Sequence, residues 1–461
     1  MFSIGIDIGG THIRAARVAA DGQILARATA QSDPDPAIVL DRCLALIAQV
    51  RTPEVTAVGI GIPGQVIAVS RTVLSGGYVD LSGFAFADKV EQATGLPVTI
   101  ENDATMALLG EVACGAAKGV RNVVMLTIGT GIGGAIIEGG QVLRGRGTAG
   151  QLGHIVVNPE GLHCVCGRIG CVETTSSGTA FGLHLARFGL PDSTKAQDLL
   201  AHRGPAAMAV LTAWAQPLRQ AIDSLTTICN PDLVVLGGGA GAGAVAALAL
   251  FPPAQSWFSA PVVAALLGDD AGVIGAALTA LPRPKRVIMV NGVPASGKSS
   301  VADAVSAATG WPVLRLDTVK NPFLQELAPV DRLFNRTLGR ASYAAIFDIL
   351  RDAPDGTTMI IDAWCGFQPT NLLTAGLARA GITQTAELWC HAPPDTIGAR
   401  YAARIGDRPA GHPGADYVPE LIALAASAQP ISIGPLRHID TTAPLDLQAV
   451  LTWLNLPQQR T

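Results

Sequence analysis

From Arg286 the chain reads Arg-Val-Ile-Met-Val-Asn, then Gly292-Val-Pro-Ala-Ser-Gly297-Lys298-Ser299, then an Ala-rich stretch from Val301. The apolar, β-branched run predicts a strand and the Ala-rich stretch a helix. Between them lies the spacing GxxxxGK[ST]. A glycine-rich loop in that position turns its backbone N–H groups, together with the helix N-terminus, toward phosphates. Lys298 is expected to neutralise the β/γ oxygens. Ser299, with Ser300 beside it, is expected at the magnesium of the nucleotide. Gly292 and Gly297 let the backbone approach the ligand closely. A fold serving this loop is a parallel sheet with helices crossing over it.

The loop begins 291 residues into a chain of 461, so a second unit must precede it. The boundary is expected at 281–286, Leu-Pro-Arg-Pro-Lys-Arg, where two prolines and three basic residues make a short, stiff linker. Residues 1–280 and 287–461 then form separate domains. A net charge of −4 gives no electrostatic case for nucleic acid or an anionic membrane as partner. Phosphorylated ligands must be held by local devices. The N-terminus lacks a basic leader, and the Ala-rich stretch from Ala240 to Ala254 is broken by glycine and by Pro252-Pro253. A cytoplasmic enzyme is the expectation.

One feature occurs twice in the first domain. Ser3–Asp7 and His12–Val18 read as strands joined by Ile8-Gly9-Gly10-Thr11. Val123–Ile128 and Ala135–Glu138 read as strands joined by Gly129-Thr130-Gly131-Ile132-Gly133-Gly134. A third glycine turn, Gly237-Gly238-Gly239, follows the strand Leu233–Leu236. Alone, each suits an ordinary hairpin. Three in register with strands, amid alternating Val/Ile and Ala/Leu runs, predict a duplicated α/β architecture with phosphate-facing turns.

These segments, with Gly61-Ile-Pro-Gly64, Glu101-Asn102-Asp103, the run Gly153–Glu173, Val235–Gly239 and Gly268-Asp-Asp-Ala-Gly272, resemble the ROK family of sugar kinases and repressors. The resemblance covers nearly all of residues 1–280. It implies the two-lobed, actin-like or hexokinase-like ATPase fold, a homodimer, and transfer from ATP to a sugar hydroxyl. Asp103 would be the general base, a role a carboxylate within hydrogen-bond reach can fill. Asp103 is also expected to N-cap a helix over Ala104–Glu111. Asn102, His154 and Glu173, with Gly64, Asp80 and Gln151, would hold the sugar. Asp7, Gly9, Gly10, Thr11, Thr130, Gly131, Gly133, Gly238 and Gly239 would hold ATP, with Asp7 orienting its Mg²⁺. Two positions depart from the pattern: Gln151 stands where relatives carry Glu, and Asp80 where many carry Asn. Both put plain glucose specificity in question. With the first strand at residue 3 there is no room for the repressors' DNA-binding segment.

His154, Cys164, Cys166 and Cys171 offer one imidazole and three thiols, the ligand set of a closed tetrahedral zinc site. His163, adjoining Cys164, is the lesser histidine candidate. The ROK resemblance implies the same zinc loop over 154–171, with His154 presenting its other ring nitrogen toward the sugar.

The second domain resembles small P-loop kinases of the chloramphenicol-phosphotransferase and gluconate-kinase kind. A strand Val313–Asp317 would end in Asp317, the base or hydroxyl anchor. A Walker B-like strand Thr358–Asp362 would bring Asp362 near Mg²⁺. Arg400, Arg404 and Arg408, at four-residue spacing, would face one way as a lid over ATP. The expected whole is a bifunctional kinase, phosphorylating a hexose or hexose derivative at one site and a small hydroxylated metabolite at the other. The alternatives are a sugar kinase with a regulatory nucleotide-binding module, and a sugar sensor without turnover.

Overall fold

The computed structural model describes residues 1–253, 256–282, 284–327, 329–367, 369–407 and 412–455. It divides into two units, Met1–Leu281 and Pro282–Thr461. No helix among the described residues is long and apolar enough to cross a membrane.

The first unit contains two five-stranded sheets of the same topology. In the first, β1 (Phe2–Ile8), β2 (His12–Ala19) and β3 (Ile24–Gln31) form an antiparallel meander, and β4 (Val55–Ile62) extends it parallel to β1. A small hairpin, β5 (Gln65–Ile67) and β6 (Thr72–Ser75), intervenes before β7 (Val98–Asn102) completes the order β3-β2-β1-β4-β7. The second sheet repeats the plan with β8 (Val123–Ile128), β9 (Ile132–Glu138), β10 (Gln141–Val142), β11 (Leu233–Gly237) and β12 (Val262–Ala264), in the order β10-β9-β8-β11-β12. The central strands are buried on both faces: Ile4, Ile6 and Ile8 of β1, and Val58, Ile60 and Ile62 of β4, are fully enclosed on one face, and Ser3, Gly5, Gly59 and Gly61 are buried on the other. Edge strand β3 alternates half-buried and exposed residues, as one covered face requires.

Glycine sets how closely the helices of this unit pack. A Cβ on Gly5 would lie 1.8 Å from the Val273 carbonyl oxygen, and one on Gly59 would lie 1.9 Å from that of Ala276. On the other side of the helix Ala271–Ala280, a Cβ on Gly275 would lie 1.8 Å from the Met106 oxygen in the helix Asp103–Cys114. The Ala271–Ala280 helix is therefore clasped backbone-to-backbone between β1, β4 and its neighbour.

The second unit is an all-parallel sheet, β14-β15-β13-β16-β17, built from β13 (Lys285–Asn291), β14 (Val313–Arg315), β15 (Thr358–Ala363), β16 (Ile382–His391) and β17 (Leu436–Asp440). Central β13 runs directly into Gly292. Several boundaries differ from expectation. Lys285 and Arg286 belong to β13 rather than to a linker, the Lys285 ammonium donating to the Leu350 and Arg351 carbonyls; position 283 lies outside the described residues. The helix after the loop starts at Lys298, not Val301. Strand β14 stops at Arg315, so Asp317 sits in the first turn of the helix Leu316–Leu327.

Replacing Gly275 by Val forces two helix backbones apart. It should cost about 3 kcal/mol, the upper range for overpacking. Calorimetry should show the transition of the first unit falling by roughly 10 °C, with the transition of the P-loop unit unmoved.

Candidate active site

In the first unit one end of the first sheet brings two carboxylates together. Asp7, next to last in β1, lies opposite Gly61 of β4, and Asp103 follows β7. Gly61 lies between them: a Cβ there would be 3.5 Å from Asp7 Oδ1 and 3.4 Å from Asp103 Cα. The helix N-cap is Asn102, not Asp103. Asn102 Oδ1 accepts from the Thr105 N–H at 3.1 Å, while Asp103 occupies the first helical position and accepts from the Ala104 N–H at 2.8 Å. Asn fills the cap as well as Asp, and Asp103 is left aimed outward from the helix start. Asn102 Nδ2 donates both to Asp103 Oδ1 and to the Gly64 carbonyl, each at 2.9 Å. Gly64, at φ +102, meets Ser75 and Gly76, and Gly76 packs on exposed Asp80, whose Oδ1 accepts from the Ser82 N–H at 3.0 Å.

Burial pushes the Asp103 carboxyl up to about 6 against its hydrogen bonds from Ala104 and Asn102. Burial and then the charge of Asp103 push Asp7 up to about 7, opposed by Arg14, 3.8 Å away. Asp7 packs over Gly272 at the N-terminus of the Ala271–Ala280 helix, where a Cβ would come within 2.8 Å of its Cγ. Glu101, unassigned by the sequence reading, is a buried brace: its carboxylate takes the Asn102 N–H at 2.9 Å and Arg144 Nη2 at 2.9 Å.

The three glycine turns occupy the carboxyl ends of β1, β8 and β11. Gly9 N–H donates to the His12 carbonyl at 3.0 Å, closing a tight turn with Gly10 and Thr11 exposed at its tip. Gly238, at φ +75, packs on Ile128, and the Ala240 N–H donates to the Ile128 carbonyl, so the Gly238-Gly239 turn lies beside the Gly129 turn. Thr130 exposes its side and offers its carbonyl to Thr179. Gly133 rests on Ala104, next to Asp103. Glu173 Oε2 accepts from the Ile132 N–H at 2.8 Å and fills the space a Gly131 side chain would need.

Glu173 also touches the cysteine loop, its Oε1 lying 3.9 Å from Cys164 Sγ. His154 Nδ1 is 3.4 Å from Cys164 Sγ, and Cys166 Sγ is 3.6 Å from Cys171 Sγ. All four ligand atoms fall within 4.8 Å of one another. Two thiolates on a tetrahedral Zn²⁺ with bonds of about 2.3 Å stand about 3.8 Å apart, so the set fits that ion. His163 instead pairs by backbone with Ile169. Half-buried Gln151 precedes the turn Leu152–His154 and accepts from the His154 N–H.

In the second unit Gly297, at φ +85, caps the helix Lys298–Thr309, and Asn291 fixes the strand before the loop. Asn291 Oδ1 accepts from the N–H groups of Gly292 and Cys365, and its Nδ2 donates to buried Glu387 at 2.8 Å. Asp362, next to last in β15, lies against Lys298 and Ser299; burial raises its carboxyl from the ordinary value, with both neighbours opposing. Its Oδ1 is buried with no hydrogen-bond partner among the described residues. A cavity of about 690 Å³ opens beside these groups, with Asp317 and Asp362 on its wall. The arginine trio is not one helical face. The helix ends at Ala402, leaving Arg404 exposed beyond it, and Arg408 lies outside the described residues. Arg400 is spent on Thr441, donating to its Oγ1 at 3.0 Å and its carbonyl at 2.9 Å.

Two half-buried carboxylates at one end of the first sheet, glycine turns at the ends of the duplicated sheets, and a strand–loop–helix phosphate cradle in the second unit are parts that an ATP-dependent phosphotransferase needs. A family model described as ROK family matches residues 3–283, and one described as AAA domain matches residues 287–415. The chain belongs to the ROK family, and its first unit is a sugar kinase on the hexokinase-like ATPase fold. A glucokinase of Streptomyces coelicolor is 35% identical over 306 residues, covering 60% of this chain and 96% of its own length. An N-acetylmannosamine kinase of Escherichia coli O7:K1 is 33% identical over 295 residues, covering 61% and 99%. The structure of a ROK glucokinase from Streptomyces griseus with glucose and AMPPNP superimposes with a TM-score of 0.53 at 34% identity, over 61% of this chain and 99% of that one.

The raised Asp7 carboxyl should be visible by ¹³C NMR as a group titrating near 7. Asp103→Asn removes the like charge that favours its protonated form, so the Asp7 titration should move to lower pH.

Proposed function

We propose that this chain is a bifunctional ATP-dependent kinase whose first unit phosphorylates a hydroxyl of an aldohexose or its N-acylated derivative. The half-buried Asp103, held by Asn102 and close to Asp7 across Gly61, carries the reading. In it Asp103 accepts the hydroxyl proton as the P–O bond forms. Asp7 orients the metal-bound triphosphate, and the turns at Gly9-Gly10-Thr11, Thr130-Gly131-Gly133 and Gly238-Gly239 hold its phosphates. Asn102, His154, Glu173, Gln151, Gly64 and Asp80 surround the sugar. The relatives named glucokinase and N-acetylmannosamine kinase support this substrate class.

Zinc is proposed as a structural ion on His154, Cys164, Cys166 and Cys171. Cys166 Sγ and Cys171 Sγ, 3.6 Å apart, and His154 Nδ1 and Cys164 Sγ, 3.4 Å apart, stand at separations that two ligands of one tetrahedral zinc would keep. Through Cys164 and His154 the ion would stiffen the loop that carries Glu173. In the P-loop unit Ser299 and the orphaned Asp362 oxygen fit Mg²⁺, which would screen the triphosphate. The cavity lined by Lys298 and Ser299 continues past Asp317 to the helix Arg332–Asp352, an extension that supports room for a small hydroxylated acceptor beside the nucleotide.

Asp103→Asn should lower kcat for sugar phosphorylation by at least about 100-fold, and Lys298→Met should leave that activity intact. An Asp103→Asn enzyme as fast as wild type would sink the assignment. Because the base must be ionised, kcat/KM for the wild type should fall as pH drops through about 6. Elemental analysis should find one zinc per chain. Cys166→Ser should lose it and raise the KM for sugar more than it lowers kcat.

A further inference from the structure

We infer that the acceptor of the P-loop unit itself carries a phosphate, so that this unit consumes a sugar monophosphate of the kind the first unit makes. The inference rests on the reading that the P-loop unit transfers rather than only binds. Its cavity extends from Lys298, Ser299 and Asp362 to the helix Arg332–Asp352. There Arg332, Arg336 and Arg340 follow at four-residue intervals, which stacks them on one helix face. With Lys298, Arg315 and Lys320 the wall holds six cationic side chains against the two carboxylates Asp317 and Asp362.

Part of that charge is already answered. Arg315 is held between Asp303 and Asp362, and Arg332 pairs with Glu420. Lys298 belongs to the nucleotide. Among the described residues no carboxylate lies within ion-pair distance of Arg336 or Arg340. The chain as a whole is acidic, at −4, so this concentration is local to the cavity. Both guanidinium groups are exposed on the cavity wall, and a neutral hexose offers them no counter-charge. A dianionic phosphomonoester, with three acceptor oxygens, matches two planar forks at once. A volume of about 690 Å³ suits a small molecule, and Trp364 with Phe367 supplies an apolar wall for a sugar ring.

In the step itself the acceptor hydroxyl oxygen attacks the γ-phosphorus of ATP. The bond from that phosphorus to the β,γ-bridging oxygen breaks, and ADP leaves with the electron pair. The hydroxyl proton passes to Asp317 on the cavity wall, giving a sugar bisphosphate.

The test uses the full chain carrying Asp103→Asn, which silences the first site. ATP is supplied with a hexose monophosphate, the matching neutral hexose, a sugar acid or an oligonucleotide with a free 5′-hydroxyl, and products are followed by ³¹P NMR. The expected result is a bisphosphate, formed with kcat/KM at least about 100-fold above that for the neutral hexose. Lys298→Met in the same background should abolish it. Joint Arg336→Gln and Arg340→Gln should raise the KM for the sugar phosphate roughly tenfold or more, with the KM for ATP little changed. Preference for the neutral sugar, the acid or the oligonucleotide overturns the phosphate assignment while leaving transfer intact. Absence of transfer to all four overturns the transfer reading and this inference with it.

Discussion

The first unit depends on backbone contact that only glycine permits. Gly5, Gly59 and Gly275 let the helix Ala271–Ala280 lie directly on β1, β4 and the helix Asp103–Cys114. That contact fixes Gly272 beneath the Asp7 carboxylate and holds the start of the Asp103 helix against the same sheet end. Desolvation then does the electrochemical work. Two half-buried carboxyls so close together resist ionising together, and both are displaced upward, Asp7 to about 7 and Asp103 to about 6.

The P-loop unit solves a different problem with a similar economy of parts. Its loop is stiffened from below by Asn291 and buried Glu387, whose remaining oxygen takes the Ser432 N–H at 2.7 Å. Both oxygens of that side chain are hydrogen-bonded, as a fully buried acid requires. Above the loop, Asp362 keeps one oxygen unanswered. A satisfied acid beneath and an unsatisfied one above separate the structural from the ligand-facing side of the same strand ends.

Much of this was legible in the residues. The paired glycine hairpins announced the duplication that the two sheets display, and GxxxxGKS announced the central strand and its helix. The His-Cys-Cys-Cys grouping could be read because metal ligands must be of a few types close together. Boundaries were harder. Val-Leu-Arg-Leu-Asp reads as a strand through Asp317, yet β14 is only three residues long, because β15 offers it partners only from Ile360 to Asp362. Asn102 and Asp103 are both good caps, and only the turn geometry chooses between them. Glu101 gave no signal, since its partner Arg144 is 43 positions away. The arginines Arg332, Arg336 and Arg340 of the long helix were not singled out, because what brings them to the cavity of Lys298 is tertiary packing.

One long-range contact bears on the order in which the P-loop unit assembles. Thr441, just past β17, donates to the Ser296 carbonyl across 145 positions of chain and packs where a side chain on Gly297 would fall. The loop therefore acquires its wall only after the last strand of the sheet has joined. The first crossover of the unit is thus braced by the fifth strand in chain order, and the brace closes a long loop whose entropy must be given up before the cradle is complete.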